Sequence, residues 1–191
     1  MTINLVVEEA LANSLKKLMM TKSIKQIHVK EITNESSLSR HTFYNHFHDI
    51  YELLKWIYER EVIEGIDLYC SLDSWKKGID LVLNYTYENK RICLNTFNSL
   101  GRDHLESFLY QTFFRVVSSV VDEISRDLQL SEEVKDNCKD FYTNALMGVF
   151  ISWLKKDLSE TPESMARKID QMLSGVVVYT LTKISKEANT L

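Results

Sequence analysis

A short polar stretch near the N-terminus carries the side chains of this 191-residue chain that are best suited to chemistry. Ser39 has the hydroxyl of an N-cap, and it precedes a predicted helix over residues 40–47 in which Phe43 and Phe47, four apart, share one face. A helix of this length can lie in the major groove of DNA when aromatic residues anchor its back and its exposed face is polar. The candidate DNA-binding residues are Ser39, Arg40, His41, Thr42, Tyr44, Asn45 and His46.

These side chains divide into two chemical groups. The hydroxyl groups are short or rigid and suit phosphate oxygens, which fix the position of a protein on DNA without reading its sequence. Arg40 can pair with O6 and N7 of guanine, while His41 and Asn45 can reach other base edges. The stretch therefore has groups for both positioning and base recognition.

The elements that must position these residues are helices. Five Gly and one Pro are too few for a fold rich in tight turns, so the sequence predicts an all-α protein with short connections. Apolar residues recur at helical spacing over 5–20, and shorter helices are expected over 29–36 and 40–47 on either side of a tight turn. Two helices joined in this way and packed on a longer one form a helix-turn-helix.

The rest of the chain is expected to form longer helices. Ser131 is a predicted N-cap, and Thr161-Pro162-Glu163 is a strong helix start. The predicted helices cover 50–70, 74–88, 90–100, 103–128, 132–156 and 162–186. We therefore divide the chain into a DNA-binding domain, 1–49, and a helical regulatory and dimerisation domain, 50–191.

Charge is distributed unevenly along the chain. The formal net charge is −4, which by itself argues against a nucleic-acid partner. The first fifty residues, however, hold six basic and five acidic side chains, whereas residues 51–191 hold seventeen and twenty-two. The acidic surplus thus belongs to the second domain, and the first must be judged separately.

Other classes of function find little support. The chain has no G-x-S-x-G, P-loop, H-E-x-x-H or dinucleotide-binding motif, so we expect neither an enzyme nor a cofactor. Cys70, Cys93 and Cys138 lack metal-ligand spacing, and together with His104 they would form a sensor site only if the fold gathered them. No run of eighteen apolar residues and no signal peptide occurs, which favours a cytoplasmic protein without membrane contact.

Two segments resemble a known family. Ser39, Thr42-Phe43-Tyr44 and His46-Phe47, followed by Leu53, resemble the DNA-binding signature of TetR-type bacterial transcriptional regulators. Gly148, Trp153-Leu154-Lys155-Lys156 and Thr161-Pro162-Glu163 resemble the C-terminal domain of a TetR branch that includes the co-activator of the dihydroxyacetone kinase operon. The resemblance implies a homodimeric regulator of a palindromic operator, a repressor by default. An activator that works with a partner protein is the alternative, and a helical binding module with a vestigial helix-turn-helix is the rival.

Three positions depart from the family pattern. Ser37 stands where the family usually has Gly, and the loss costs roughly 1 kcal/mol if this turn needs a positive φ. Ile50 replaces a Lys that usually holds a phosphate, and His28 replaces the usual Thr or Ser cap. We therefore expect weaker intrinsic affinity for DNA.

The resemblance also implies an effector pocket among the middle helices. A ligand there would alter DNA binding only by favouring one conformation over another. In the dihydroxyacetone-kinase branch the regulatory partner could instead be a protein. The aromatic and polar candidates for the pocket are Trp56, Tyr69, Trp75, Tyr85, Phe97, His104, Tyr110, Phe113 and Phe114.

The last two predicted helices are apolar on more than one face. Such a helix must bury one face in its own core and another against a partner. In TetR proteins the equivalent pair forms a four-helix dimer interface, which we expect here. The candidate interface residues are Phe141, Ala145, Gly148, Ser152, Ile169, Leu173, Val176, Val177 and Thr180.

Overall fold

The computed structural model describes residues 3–99 and 102–188, and every regular element in these ranges is helical. The α-helices are α1 (Ile3–Met19), α2 (Val29–Glu35), α3 (Arg40–His46), α4 (Ile50–Tyr58), α5 (Glu64–Ile66), α6 (Trp75–Glu88), α7 (Lys90–Phe97), α8 (Arg102–Ile124), α9 (Glu132–Lys155), α10 (Pro162–Leu173) and α11 (Val176–Ala188). The predicted all-α class is confirmed.

The chain forms two compact units. The first combines residues 1–61 with 89–108, and the second combines 62–88 with 109–191. Within the first unit, the Tyr58 hydroxyl of α4 donates to Oγ1 of Thr96 at 2.9 Å, and its ring stacks on Phe108. The two structural units therefore contain different residues from the predicted functional domains, 1–49 and 50–191. The division into functional domains remains a prediction.

The core of the first unit forms between α1 and the helices that follow it. Leu11 and Leu15 of α1 are fully buried, as are Ile32 of α2 and Phe43 of α3. Burial of a side chain of this size stabilises a fold by about 1.5–3 kcal/mol. This core supports α2 and α3. The residues that α1 contributes to it, Leu11 and Leu15, are among those whose helical spacing predicted α1.

In the second unit α10 packs along α6, and aromatic rings connect α8 with α9. The Phe113 and Phe150 rings lie 5.5 Å apart, and Phe150 contacts Trp153 at 5.6 Å. The indole N–H of Trp153 donates to the backbone carbonyl of Glu160 at 3.0 Å, which fixes the connection that leads to α10. Trp153 thus has a structural role in the C-terminal motif identified from the sequence.

Two predicted helices are wrong in extent. The helix expected over 50–70 is interrupted by a π-helical turn at Glu59–Ile63 and ends in a 3₁₀ turn at Asp67–Tyr69. The helix expected over 162–186 is two helices, because Gly175 adopts a φ of +78° between them. A residue in this left-handed conformation cannot continue an α-helix.

Within the described residues, no helix is both long and apolar enough to cross a membrane.

Candidate nucleic-acid interface

The turn between α2 and α3 is a Schellman motif. The N–H of Ser37 donates to the carbonyl of Asn34 at 3.3 Å, and the N–H of Leu38 donates to the carbonyl of Thr33 at 2.9 Å. Ser37 has a φ of +57°, in the region that favours glycine. The turn therefore does need a positive φ at Ser37. This is the condition under which the absence of Gly was expected to cost roughly 1 kcal/mol.

Ser39 begins α3 as the sequence predicts. Its hydroxyl accepts from the backbone N–H of Thr42 at 2.9 Å, and the two hydroxyl oxygens lie 2.8 Å apart. The N-cap satisfies a backbone donor that the first turn of a helix otherwise leaves without a partner. Both hydroxyls therefore hold fixed positions at the start of α3.

The two faces of α3 have opposite character. Phe43 and Phe47 are buried with their rings 6.0 Å apart, and Phe47 also contacts Trp56 of α4 at 6.2 Å. The aromatic pair is thus the anchor that its four-residue spacing predicts. The polar side chains exposed to solvent are those of Ser39, Arg40, His41, Tyr44 and Asn45.

His46 differs from the other candidates because it faces back toward the core of the first unit. Its Nδ1 lies 3.2 Å from Oε1 of Glu8 on α1, and only 14% of the side chain is exposed. This contact ties the end of α3 to α1. The geometry therefore fits a residue that braces α3 better than one that reads a base.

A concave surface lies beside the exposed face of α3. Arg40 and Tyr44 line it together with three residues that we did not select from the sequence, Lys30, His48 and Tyr51. Ile50 lies in the same wall, where TetR proteins usually have Lys. An exposed lysine on α2 has no distinguishing signal in the sequence, and only the packing of α2 against α3 brings Lys30 beside Arg40.

The start of α2 is held by charge. The backbone N–H of His28 donates to the Glu31 carboxylate at 3.0 Å, and Lys22 forms an ion pair with the same carboxylate. The hydrogen bond from Lys22 and the one from His28 both lower the pKa of Glu31. The Glu31 carboxylate therefore caps the start of α2 through the backbone N–H of His28, and Lys22 reinforces this contact from the preceding loop.

Comparison with known proteins identifies the family. Residues 73–175, more than half of the chain, match the TetR_C_8 family, which is the transcriptional regulator C-terminal region. The chain belongs to the TetR family of transcriptional regulators. Proteins of this family are regulators and not enzymes, in agreement with the missing catalytic motifs.

The relatives include members of the predicted TetR branch. The HTH-type dhaKLM operon transcriptional activator DhaS of Lactococcus lactis subsp. lactis (strain IL1403) is 32% identical over 87 residues, or 46% of each chain. The match thus spans about half the length of this curated relative. The structure of the dihydroxyacetone kinase operon activator DhaS aligns with a TM-score of 0.72 and 21% identity over 93% of this chain and 97% of that one.

A second solved structure is more distant. NalD, the secondary repressor of the MexAB-OprM multidrug efflux pump in Pseudomonas aeruginosa, aligns with a TM-score of 0.54. Its identity is 14%, over 89% of this chain and 94% of that one. At these identities the two structures establish the fold alone.

The nine effector candidates of this TetR protein are divided between the two units. Trp56, Phe97 and His104 belong to the first unit, where the His104 ring stacks on Tyr51. Phe97 is buried beneath the guanidinium of Arg102. The six in the second unit are Tyr69, Trp75, Tyr85, Tyr110, Phe113 and Phe114.

Trp75 lines an apolar cavity in the second unit together with Val116, Val120 and Leu146. The cavity volume is about 50 Å³, well below the ~300–1,000 Å³ of typical small-molecule sites. The sequence could not identify its aliphatic lining, because those residues have the same spacing as ordinary core residues. The cavity in this conformation is too small for a drug-sized effector.

The cysteines are also divided between the units. Cys93 and His104 lie in the first unit, whereas Cys70 and Cys138 lie in the second. Burial raises the pKa of all three thiols, that of Cys93 to about 12. Among the described residues, no three His, Cys, Asp or Glu side chains lie together as metal ligands would.

The predicted dimer face is largely exposed in the second unit. On α9 the row of Phe141, Ala145, Gly148 and Ser152 is open to solvent, and Val176 is exposed on α11. The candidates that are half-buried are Leu173, Val177 and Thr180. This arrangement leaves an apolar surface across two neighbouring helices.

Three residues change the composition of this face. Ile169 is only 4% exposed and lies toward α6, so it belongs to the core of its own chain and not to the open surface. Met172 and Tyr179 are 66% and 68% exposed, although they were not selected. The break at Gly175 changes which residues share a face, and a single continuous helix would not predict this.

Proposed function

We propose that this TetR-family protein binds a specific DNA sequence through α3, as a homodimer on an inverted repeat. The observation that carries the proposal is that α3 is held at its back, at its start and at its end. Its back is fixed by buried Phe43 and Phe47, its start by Ser39 and its end by the contact of His46 with Glu8. A helix held on three sides can present its remaining face to base edges with little loss of side-chain order.

In this proposal the exposed residues have separate tasks. Arg40 pairs with guanine, and His41 and Asn45 contact other base edges. The hydroxyl groups of Ser39, Thr42 and Tyr44 contact phosphates and set the position of α3 on the duplex. His46 positions α3 from behind. Lys30 and His48 extend the phosphate contacts along the concave surface beside Arg40.

The homodimer is supported by the exposed apolar face of α9 and α11. A two-fold pair would present two α3 helices about one DNA turn apart, roughly 34–36 Å, so that the protein reads a palindrome. A regulator of this kind acts on the chromosome, and we therefore place it in the bacterial cytoplasm.

Transcriptional activation is favoured over the repressor default. The relative that is 32% identical is named as a transcriptional activator. The cavity lined by Trp75 is smaller than typical small-molecule sites, which supports a partner protein as the regulatory input at the predicted effector site.

The proposal can be tested by selecting double-stranded DNA from a randomised library with the purified protein, at two salt concentrations. We expect an enriched inverted repeat. Arg40→Ala should lower affinity for that repeat by about 1–3 kcal/mol and relax selection at one base pair of each half-site. Lys25→Ala is the matched control, because it removes one exposed positive charge outside the α3 surface.

The control separates base recognition from simple charge. If Arg40→Ala and Lys25→Ala weaken all sequences equally, α3 does not read bases. If the wild-type protein enriches no repeat and its binding disappears as salt rises, the proposal is wrong and the helix-turn-helix is vestigial.

A further inference from the structure

Asn95 makes three hydrogen bonds to the loop between α1 and α2. Its Oδ1 accepts from the backbone N–H of Ile24 at 2.9 Å. Its Nδ2 donates to the carbonyl of Met19 at 3.1 Å and to that of Lys22 at 2.8 Å. Asn95 lies on α7, more than seventy residues along the chain from this loop, and both belong to the first unit.

The loop between α1 and α2 sets the direction in which α2 follows α1. Met19 ends α1, Ile24 is buried in the following 3₁₀ turn, and α2 begins at Val29. The carbonyl of Met19 is among the last of α1, which have no partner within the helix. A side-chain amide is suited to this place because it can accept one hydrogen bond and donate two at once.

The contacts continue from the loop into α2. Lys22, whose carbonyl is held by Asn95, forms an ion pair through its side chain with Glu31. Glu31 in turn accepts from the backbone N–H of His28, at the start of α2. An unbroken series of polar contacts therefore joins α7 to the helix-turn-helix.

We propose that Asn95 is a positioning residue for DNA recognition, which locks the helix-turn-helix onto α7 by holding the loop between α1 and α2. The proposal rests on the proposed function. In a dimer, each α3 must enter its half-site in a fixed orientation, and attachment of the loop to α7 holds α2 and α3 in one position within the first unit. Release of the loop leaves α3 intact but lets its position vary.

Two substitutions remove the contacts to different extents. Asn95→Asp keeps the acceptor for Ile24 but replaces both donors with an oxygen that faces the carbonyls of Met19 and Lys22. Asn95→Leu is close in size and removes all three hydrogen bonds. Asn98→Asp is the control, because it adds the same charge at an exposed position directly after the end of α7.

The experiment uses the full chain, the inverted repeat obtained by selection, and versions of it with one or two base pairs inserted at the centre. The wild-type protein and Asn98→Asp should bind the original spacing best. Asn95→Asp should lose about tenfold in affinity for the original spacing, as expected for two hydrogen bonds, while its binding to the altered spacings changes little. A merely structural role would lower binding to every spacing by the same factor, and that result would overturn the proposal.

Hydrogen exchange on DNA-free protein provides a second measurement that does not depend on the operator. The amides of residues 20–28 should exchange about tenfold faster in Asn95→Leu than in wild type, while those within α3 remain unchanged. Equal exchange in both proteins would overturn the proposal. If the wild-type protein selects no DNA but this difference is present, the proposed function fails while the locking contact stands.

Discussion

Single residues determine how well the helix-turn-helix fits its family pattern. Ser37 occupies a left-handed position in the Schellman turn, where Gly has no steric cost. Ile50 lies in the concave surface without the charge that a Lys would supply, and Lys30 and His48 line the same surface. The departures at Ser37 and Ile50 therefore fall at the turn and at the edge for which we propose phosphate contacts, and they leave the aromatic anchor of α3 unchanged.

The positive φ of Ser37 leads to a prediction of stability. Ser37→Gly should raise the free energy of unfolding by about 0.5–1 kcal/mol, because it relieves a strained backbone at an exposed side chain. Urea denaturation measures the change. Ser36→Gly is the matched control and should be destabilising, because Ser36 has a φ of −83° and its hydroxyl donates to the carbonyl of Ile32. A loss of stability in Ser37→Gly would contradict the assigned turn.

At the scale of elements, the break between α10 and α11 shows where helical periodicity is insufficient. Apolar residues continue at helical spacing across Ser174 and Gly175, so the pattern predicts one helix. The structure has two, because Ser174 is extended and Gly175 is left-handed. The break separates α10, which packs on α6, from α11, which carries part of the exposed apolar face.

A substitution series at Gly175 tests this break. A Cβ at Gly175 would meet no atom within 4 Å, so any cost comes from the backbone and not from a clash. Gly175→Ala should destabilise the protein by about 1–2 kcal/mol, Gly175→Asn by less and Gly175→Val by more. Thermal unfolding at fixed protein concentration gives this order. If Ala is as stable as Gly at this position, the left-handed conformation is incorrect.

At the scale of the whole molecule, a single chain leaves the apolar face of α9 and α11 exposed to solvent. Phe141 is 69% exposed, Tyr179 is 68% exposed, and Gly148 has open space around it. Soluble monomers rarely expose a contiguous patch of this kind unless it binds something. A second copy of the chain is the occupant that our proposal of a two-fold DNA site requires.

Substitution of Phe141 tests that dimer. Phe141→Glu should weaken self-association at least tenfold, because it places a charge in the centre of an apolar interface. Sedimentation equilibrium at micromolar concentration measures the change, and circular dichroism should show unaltered helix content. Leu68→Glu, a matched change of an exposed apolar residue outside the predicted face, should remain dimeric. A dimeric Phe141→Glu protein would place the interface elsewhere.

The sequence by itself determined the all-α class, the helix-turn-helix with its Ser39 cap and aromatic anchor, and the TetR family. These features depend on local periodicity, capping and an ordered motif, all of which act over a few neighbouring residues. The tertiary structure alone decided that Lys30 lies beside Arg40, that Ile169 is buried while Met172 is exposed, and that Asn95 holds the loop after α1. Such contacts join residues from different helices. They depend on how those helices pack, and the spacing of neighbouring residues along the chain does not determine that packing.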